Sequence, residues 1–337
     1  MAGDTLDLWP VLAAARFFAR KESVTEIKSP PEAPSRVESA RPRQVIWFAW
    51  FAVGLTLVFA RPLFGLLRFA LAHGLHSYIV IIPLIAAYFV WLRRKSPLPQ
   101  PASSFALAVV PCVLGLLALK EIWGPLAGSP IANPSDYYAL ATFGYLCLLW
   151  MGALLLLGGR FLREFSFPAA FLIFFVPMPE IVENALEIFF QHTSAEMSAV
   201  LFNLSGLSYY RDAADKLVFH LPGISIRVAQ ECSGIRSSVV LFITSLLAGH
   251  LFLRSPRRRL VLALFVIPLA ILRNGFRIFT IGMLCVHISP DMIDSPIHHR
   301  GGPLFFALSL IPFFGILFWL RRGDPRPGPA DRAEPVT

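Results

Sequence analysis

Residues 231–238, Glu-Cys-Ser-Gly-Ile-Arg-Ser-Ser, stand at the mouth of the apolar run VVLFITSLLAGHLFL (239–253), which stops at Arg254-Ser-Pro-Arg257-Arg258-Arg259. An apolar segment closed by arginines reads as a membrane helix whose basic end is cytoplasmic. Cys232 then falls at the opposite, extracytoplasmic end. A thiol there is well placed to be a nucleophile that works outside the membrane, and oddly placed for an inert core residue.

The composition agrees with a membrane protein. Of 337 residues, 56% are hydrophobic and 15% charged, against roughly a quarter charged in soluble domains. The apolar residues come in blocks and not in amphipathic stripes. The formal charge is +9, but the arginines cluster beside apolar blocks. They read as topology determinants and contacts to membrane lipids, not as a nucleic-acid surface. Cys112, Cys147 and Cys285 lie within apolar runs, where cysteine packs as a small hydrophobe. No spacing of Cys or His matches a metal finger, and neither a metal nor a cofactor is expected.

The pattern predicts an all-α polytopic protein with eight spans, at 45–60, 77–92, 104–120, 138–157, 166–179, 237–253, 260–287 and 303–320. If both termini are cytoplasmic, the basic clusters at 41–43, 93–95, 160–163, 254–259 and 321–322 all fall on one side. The single cations Arg61, Arg68 and Lys120 fall on the other. Residues 1–43 are expected to form a cytoplasmic extension, amphipathic over 5–20 and a proline-bearing disordered linker beyond. Residues 44–320 make the membrane domain, and 321–337 a disordered cytoplasmic tail.

The largest extracytoplasmic element is 180–236. Its first half has helical spacing broken by polar residues such as Glu183, Gln191 and Glu196, and reads as one or two interfacial or re-entrant helices. Its second half, Leu217 to Val228, alternates around Pro222-Gly223 and predicts a small β-hairpin that delivers the chain to Cys232.

Three stretches carry chemistry. At the first, a thiolate is favoured by a helix N-terminus and by nearby cations. Gly234 leaves room for a peptide, and Arg236 lies one turn from Cys232, whereas Glu231 opposes ionisation of the thiol. Residues 231–238 alone do not separate a nucleophile from a cysteine in a tight loop-to-helix turn. The second stretch is Arg273-Asn274-Gly275-Phe276-Arg277. Counted from Leu260, Arg277 lies about 26 Å along its helix, at a depth like that of Cys232. A fixed cation there suits an oxyanion. Snorkelling to lipid headgroups suits Arg273. The third is Ile297-His298-His299-Arg300-Gly301-Gly302, where a histidine suits proton transfer between a thiol and an amine. Topology counting brings one Cys, one Arg and one His to the outer ends of three consecutive spans.

These residues resemble the exosortase/archaeosortase family. The resemblance rests on ECSGIRS after LPGISIRV, then Asn274, Arg277 and Ile278 as N-x-x-R-I, then His298 and Gly302 as H-x-x-x-G. With PAAFLIFFVPMP and HSYIVIIPLIAAYFVWLRR upstream, it covers about residues 45–320. It implies a multi-pass cysteine protease or transpeptidase of the bacterial cytoplasmic (inner) membrane. Its substrates would be exported proteins with C-terminal tripartite sorting signals of the PEP-CTERM kind: a short motif, an apolar helix and a basic tail. The implied roles are Cys232 as nucleophile, Arg277 at the oxyanion or intermediate, and His298 for proton transfer. Glu231, Ser233, Gly234, Arg236 and Asn274 are expected to support them. One departure stands out. Many members open the second span with a Tyr-Ser-His-Gly-like sequence, where this chain has His76-Ser77-Tyr78-Ile79.

A different class remains: a transporter or channel with Arg273 and Arg277 lining an anion path. Such proteins are built from repeats, and none is visible here. A non-catalytic scaffold for partner helices is a third reading.

Overall fold

The computed structural model describes residues 42–93, 102–123, 133–230, 233–295, 297 and 301–323. The expected extension over 1–41 and the tail beyond 323 lie outside the described residues, as do Glu231, Cys232, His298 and His299.

The helices follow the apolar blocks: α1 (Pro42–Val58), α2 (Ala60–Ala72), α3 (Ile82–Leu92), α4 (Phe105–Trp123), α5 (Pro134–Leu156), α6 (Gly159–Glu164), α7 (Ser166–Phe171), α8 (Glu180–Ser205), α9 (Ile235–Phe252), α10 (Pro256–His287) and α11 (Gly302–Arg322). A 3-10 segment, Gly74–Ile81, leads into α3, and another, Leu172–Phe175, follows α7. Among the described residues, six stretches are long and apolar enough to cross a membrane: Gly74–Leu92, Phe105–Ile122, Pro134–Leu156, Ile235–Phe252, Pro256–His287 and Gly302–Arg322. Two more qualify only as bent pairs, α1 with α2 at 70° and Ser166–Phe175 with α8 at 88°. The count is therefore six to eight. The expected first and fifth spans are the two that need the helix after them.

One end of the bundle is basic. Arg93 pairs with Glu164, Arg259 Nε donates to the Leu253 carbonyl at 2.8 Å, and Arg258 Nη1 to the Leu320 carbonyl at 2.9 Å. Arg321 lies over the Phe252 ring. Phe51 of α1 meets Gly152 of α5 while Thr56 meets Tyr145, so the two helices are antiparallel and Arg43 points to this same end. The clusters that share a side by counting thus share an end in space.

At the other end, Ser135 Oγ donates to the Met178 carbonyl at 2.7 Å, and the Glu180 N–H donates to Asp136 Oδ1 at 2.9 Å. These bonds tie the start of α8 to the start of α5. From there α8 runs along α10, and Gly275 and Gly282 admit the side chains of Met197 and Phe202.

A three-stranded antiparallel sheet covers this contact, with β1 (Tyr210–Arg211), β2 (Val218–Leu221) and β3 (Ile224–Arg227) in that order. Phe219 stands opposite Ile226, and Leu221 opposite Ile224 across the Pro222-Gly223 turn. The alternation expected for Leu217–Val228 thus appears as β2 and β3, with β1 added at their edge. Phe219, Leu221 and Ile226 turn inward onto Ala195, Ala199 and Phe202 of α8 and onto Ile278 and Ile281 of α10. Each large side chain withdrawn from solvent this way is worth about 1.5–3 kcal/mol. Gln191 Nε2 then donates to the Val228 carbonyl at 2.7 Å, which fixes the strand's exit just before residue 231.

Candidate active site

Of the candidate residues, Ser233, Gly234 and Asn274 meet at the turn before α9, and Arg273 joins them. Gly234 caps α9 in the left-handed conformation, with φ of 70°, which costs a residue with a Cβ roughly 1–2 kcal/mol. Space forbids one as well, since a Cβ there would lie 2.8 Å from Asn274 Oδ1 and 3.2 Å from Arg273 Nη2. Asn274 and Arg273 are both buried.

The Gly234 carbonyl is a hub. It accepts from the hydroxyls of Ser237 (3.0 Å) and Ser238 (2.9 Å) and from Arg273 Nη2 at 3.1 Å. Arg273 Nη2 also reaches Ser238 Oγ at 3.2 Å. The sequence Gly-x-x-Ser-Ser therefore has a local reason: both serines fold back on the glycine carbonyl, and a guanidinium from α10 closes the cluster. Ser233, buried beside it, donates its N–H to the Gln230 carbonyl at 2.8 Å.

This corrects the assignment of Arg273 to lipid headgroups. It is 7% exposed and points into the protein. A buried cation is costly unless hydrogen-bonded, and the Gly234 carbonyl supplies that bond. Arg277 lies one turn further along α10, half-buried. Phe276, next to it, packs against Phe305 of α11 with ring centroids 6.2 Å apart. The Gly301 N–H donates to the Ile297 carbonyl across the segment that holds His298. The starts of α9 and α11 and the middle of α10 therefore converge.

A fourth element was not anticipated. The 3-10 segment from Gly74 packs against the start of α9, and Arg236 Nη1 lies 2.9 Å from where a Cβ on Gly74 would be. His76, the residue at the departure from the family pattern, is 2% exposed, and its Nε2 stands 4.0 Å from Glu183 Oε2 of α8. The sequence signal was thin: a lone histidine in an apolar run and a glutamate more than a hundred positions away.

Below Ser238 an apolar cleft of about 510 Å³ opens between α8, α9 and α10, lined by Phe174, Met178, Phe189, Phe242, Ile267 and Ala270 among others. Among the described residues, no group of three or more His, Cys, Asp or Glu side chains is placed to hold a metal ion.

A buried arginine gripping a glycine turn two residues from a cysteine, at the non-basic end of a helical membrane bundle, is an arrangement suited to chemistry at the membrane surface. Comparison with known proteins agrees. The family model for transmembrane exosortases matches residues 70–315, a range that takes in the 3-10 segment, α8, the sheet, Gly234 and the RNGFR turn. Searches of curated proteins and of solved structures returned no match. The matched range covers most of the chain and all four elements of the site, and the chain belongs to the transmembrane exosortase family.

Proposed function

We propose that the protein is a membrane cysteine peptidase or transpeptidase that cleaves C-terminal sorting signals of exported proteins. Cys232 is the nucleophile. Its thiolate adds to the scissile carbonyl carbon, and the carbonyl π pair moves onto oxygen, where the Arg277 guanidinium balances the charge. Collapse expels the amine of the C-terminal piece. That amine takes the proton His298 received from the thiol, and a thioester remains. Water or an amine acceptor then attacks the thioester and gives its proton to His298, which returns it to the departing thiolate.

Arg273 is a positioning residue in this scheme. It holds the Gly234 carbonyl away from the reacting atoms and fixes the α9 N-terminus, whose free N–H groups favour a thiolate. The apolar segment of the sorting signal lies in the cleft beside Ser238, because that cleft adjoins the Gly234 cluster and opens at the level of the spans. The orientation places both termini and the basic end in the cytoplasm, and Cys232 outside, in the inner membrane of a bacterium. The membrane domain is 44–320.

The observation that carries this reading is the bond from Arg273 to the Gly234 carbonyl, which ties α10 to the turn two residues after Cys232 in sequence. The anion-path alternative has less support, since Arg273 is committed to that carbonyl and to Ser238. The test is co-expression with exported proteins that carry C-terminal sorting signals. Cleavage is expected with Cys232 and lost in Cys232→Ala at equal protein levels; cleavage independent of Cys232 would refute the proposal.

A further inference from the structure

Arg61 and Arg68 lie off the basic end, and the clustering that gathers the arginines at 93, 254–259 and 321–322 leaves them unexplained. Both are on α2, which turns 70° from α1 after Val58. They are seven residues apart, so they lie on one face with Gly65 between them. Gly65 is the close-approach point: a Cβ there would lie 2.7 Å from the Tyr138 hydroxyl oxygen. That hydroxyl, from the second turn of α5, therefore projects between the two arginines.

Arg68 lies over the Phe64 ring at 4.6 Å, and Tyr137 closes the side of a hollow of about 520 Å³. Neither arginine has a carboxylate within 4.0 Å among the described residues. Asp136, the nearest acid on α5, is turned to the Glu180 N–H. The Tyr138 hydroxyl makes no hydrogen bond among the described residues. The hollow thus presents two exposed guanidinium groups and a free hydroxyl, with aromatic walls.

We infer that this hollow binds the phosphate of an anionic phospholipid, gripped by Arg61 and Arg68 with Tyr138 donating between them. Arginine forks match phosphate oxygens. The source is a lipid because α2 also exposes Phe64, Leu67 and Leu71, at 56%, 40% and 69%. An apolar face beside two cations belongs at the boundary of acyl chains and headgroups. Tyrosines at that level, with the ring in the apolar zone and the hydroxyl at the headgroups, fit the same depth. A lipid held there would fix the tilt of α2 and, through Tyr138, the start of α5. The inference is independent of the proposed reaction and of which end faces the cytoplasm.

The test is photo-crosslinking of the full-length protein in vesicles of phosphatidylcholine containing a photoactivatable phosphatidylglycerol, with adducts mapped by peptide mass. Labelling is expected on residues 60–72 and 134–138. It should fall about thirtyfold in the double variant Arg61→Gln/Arg68→Gln and severalfold in Tyr138→Phe, which keeps the ring. Labelling at the basic run 254–259 should be unchanged in both, which reports an intact fold. Unlabelled phosphatidylglycerol should compete and glycerol 3-phosphate should not. Undiminished labelling of 60–72 in the double variant would overturn the inference. Equal competition by glycerol 3-phosphate would do so too, by pointing to a soluble phosphate ligand. Competition by an acidic peptide but not by lipid would point to a protein partner.

Discussion

Arg273 and Gly234 are joined by a hydrogen bond of 3.1 Å across 39 residues of sequence. The bond gives Arg273 of RNGFR a bracing task at the turn, while the proposed mechanism assigns the reacting carbonyl to Arg277, one helical turn beyond.

The two arginines should therefore fail differently. Lysine's unforked point charge does not reproduce the rigid planar reach that brings Arg273 Nη2 to both the Gly234 carbonyl and Ser238 Oγ. Arg273→Lys should lower both thermal stability and processing, because a charge-assisted buried bond is worth about 1.5–3 kcal/mol. Arg277→Lys should keep a wild-type melting temperature in detergent and lose most processing. Equal melting temperatures for both variants would remove Arg273 from the bracing role.

Much of this was legible in the sequence, for physical reasons that differ by element. Spans such as Gly74–Leu92 and Gly302–Arg322 are written in apolar blocks that only a bilayer tolerates. The turn at Pro222-Gly223 was legible because only such residues suit it. Arg273 was not, because the spacing from Arg273 to Arg277 fixes a shared face but not which neighbour that face meets. The rotation of α10 is set by Met197 and Phe202 of α8 seating at Gly275 and Gly282, a packing match between distant segments. The partners of the polar residues of α8 were hidden for a related reason. Gln191 and Ser198 are buried and bond to the Val228 and Gly275 carbonyls, acceptors in segments far away in sequence. The bend that creates α2 was missed because Arg61, just past the expected span 45–60, read as a single cation outside it, where it lies in the first turn of a new helix.

The cleft beside Ser238 gives a second expectation. Ile267 lines it and is 39% exposed, so a larger side chain there should fill the cleft without disturbing the core. Ile267→Trp should raise the substrate level needed for half-maximal processing severalfold and leave the maximal rate near wild type. A loss of maximal rate alone would place the apolar segment of the substrate elsewhere.

Topology can be read with thiols. Membrane-impermeant maleimide on intact cells should label Cys232 and spare Cys112 and Cys147, which lie within the spans α4 and α5. Labelling of Cys232 only after permeabilisation would reverse the orientation and move the site to the cytoplasmic side.

The neighbouring histidines make a paired test. A general acid–base contributes about 10²–10⁴-fold in rate, so His298→Ala should nearly abolish processing while His299→Ala retains most of it. The opposite pattern would shift the assignment by one residue. Tolerance of both would leave histidine out of the mechanism.

The most direct measurement of the central claim is capture of the thioester. Cells that express the protein with a substrate should be lysed into hydroxylamine, which cleaves thioesters to hydroxamates, and the substrate's new C-terminus read by mass spectrometry. A hydroxamate at one cleavage position, absent in Cys232→Ala, is the expected result. Cleaved substrate at that position in Cys232→Ala, at wild-type yield, would contradict the assignment of Cys232 as nucleophile.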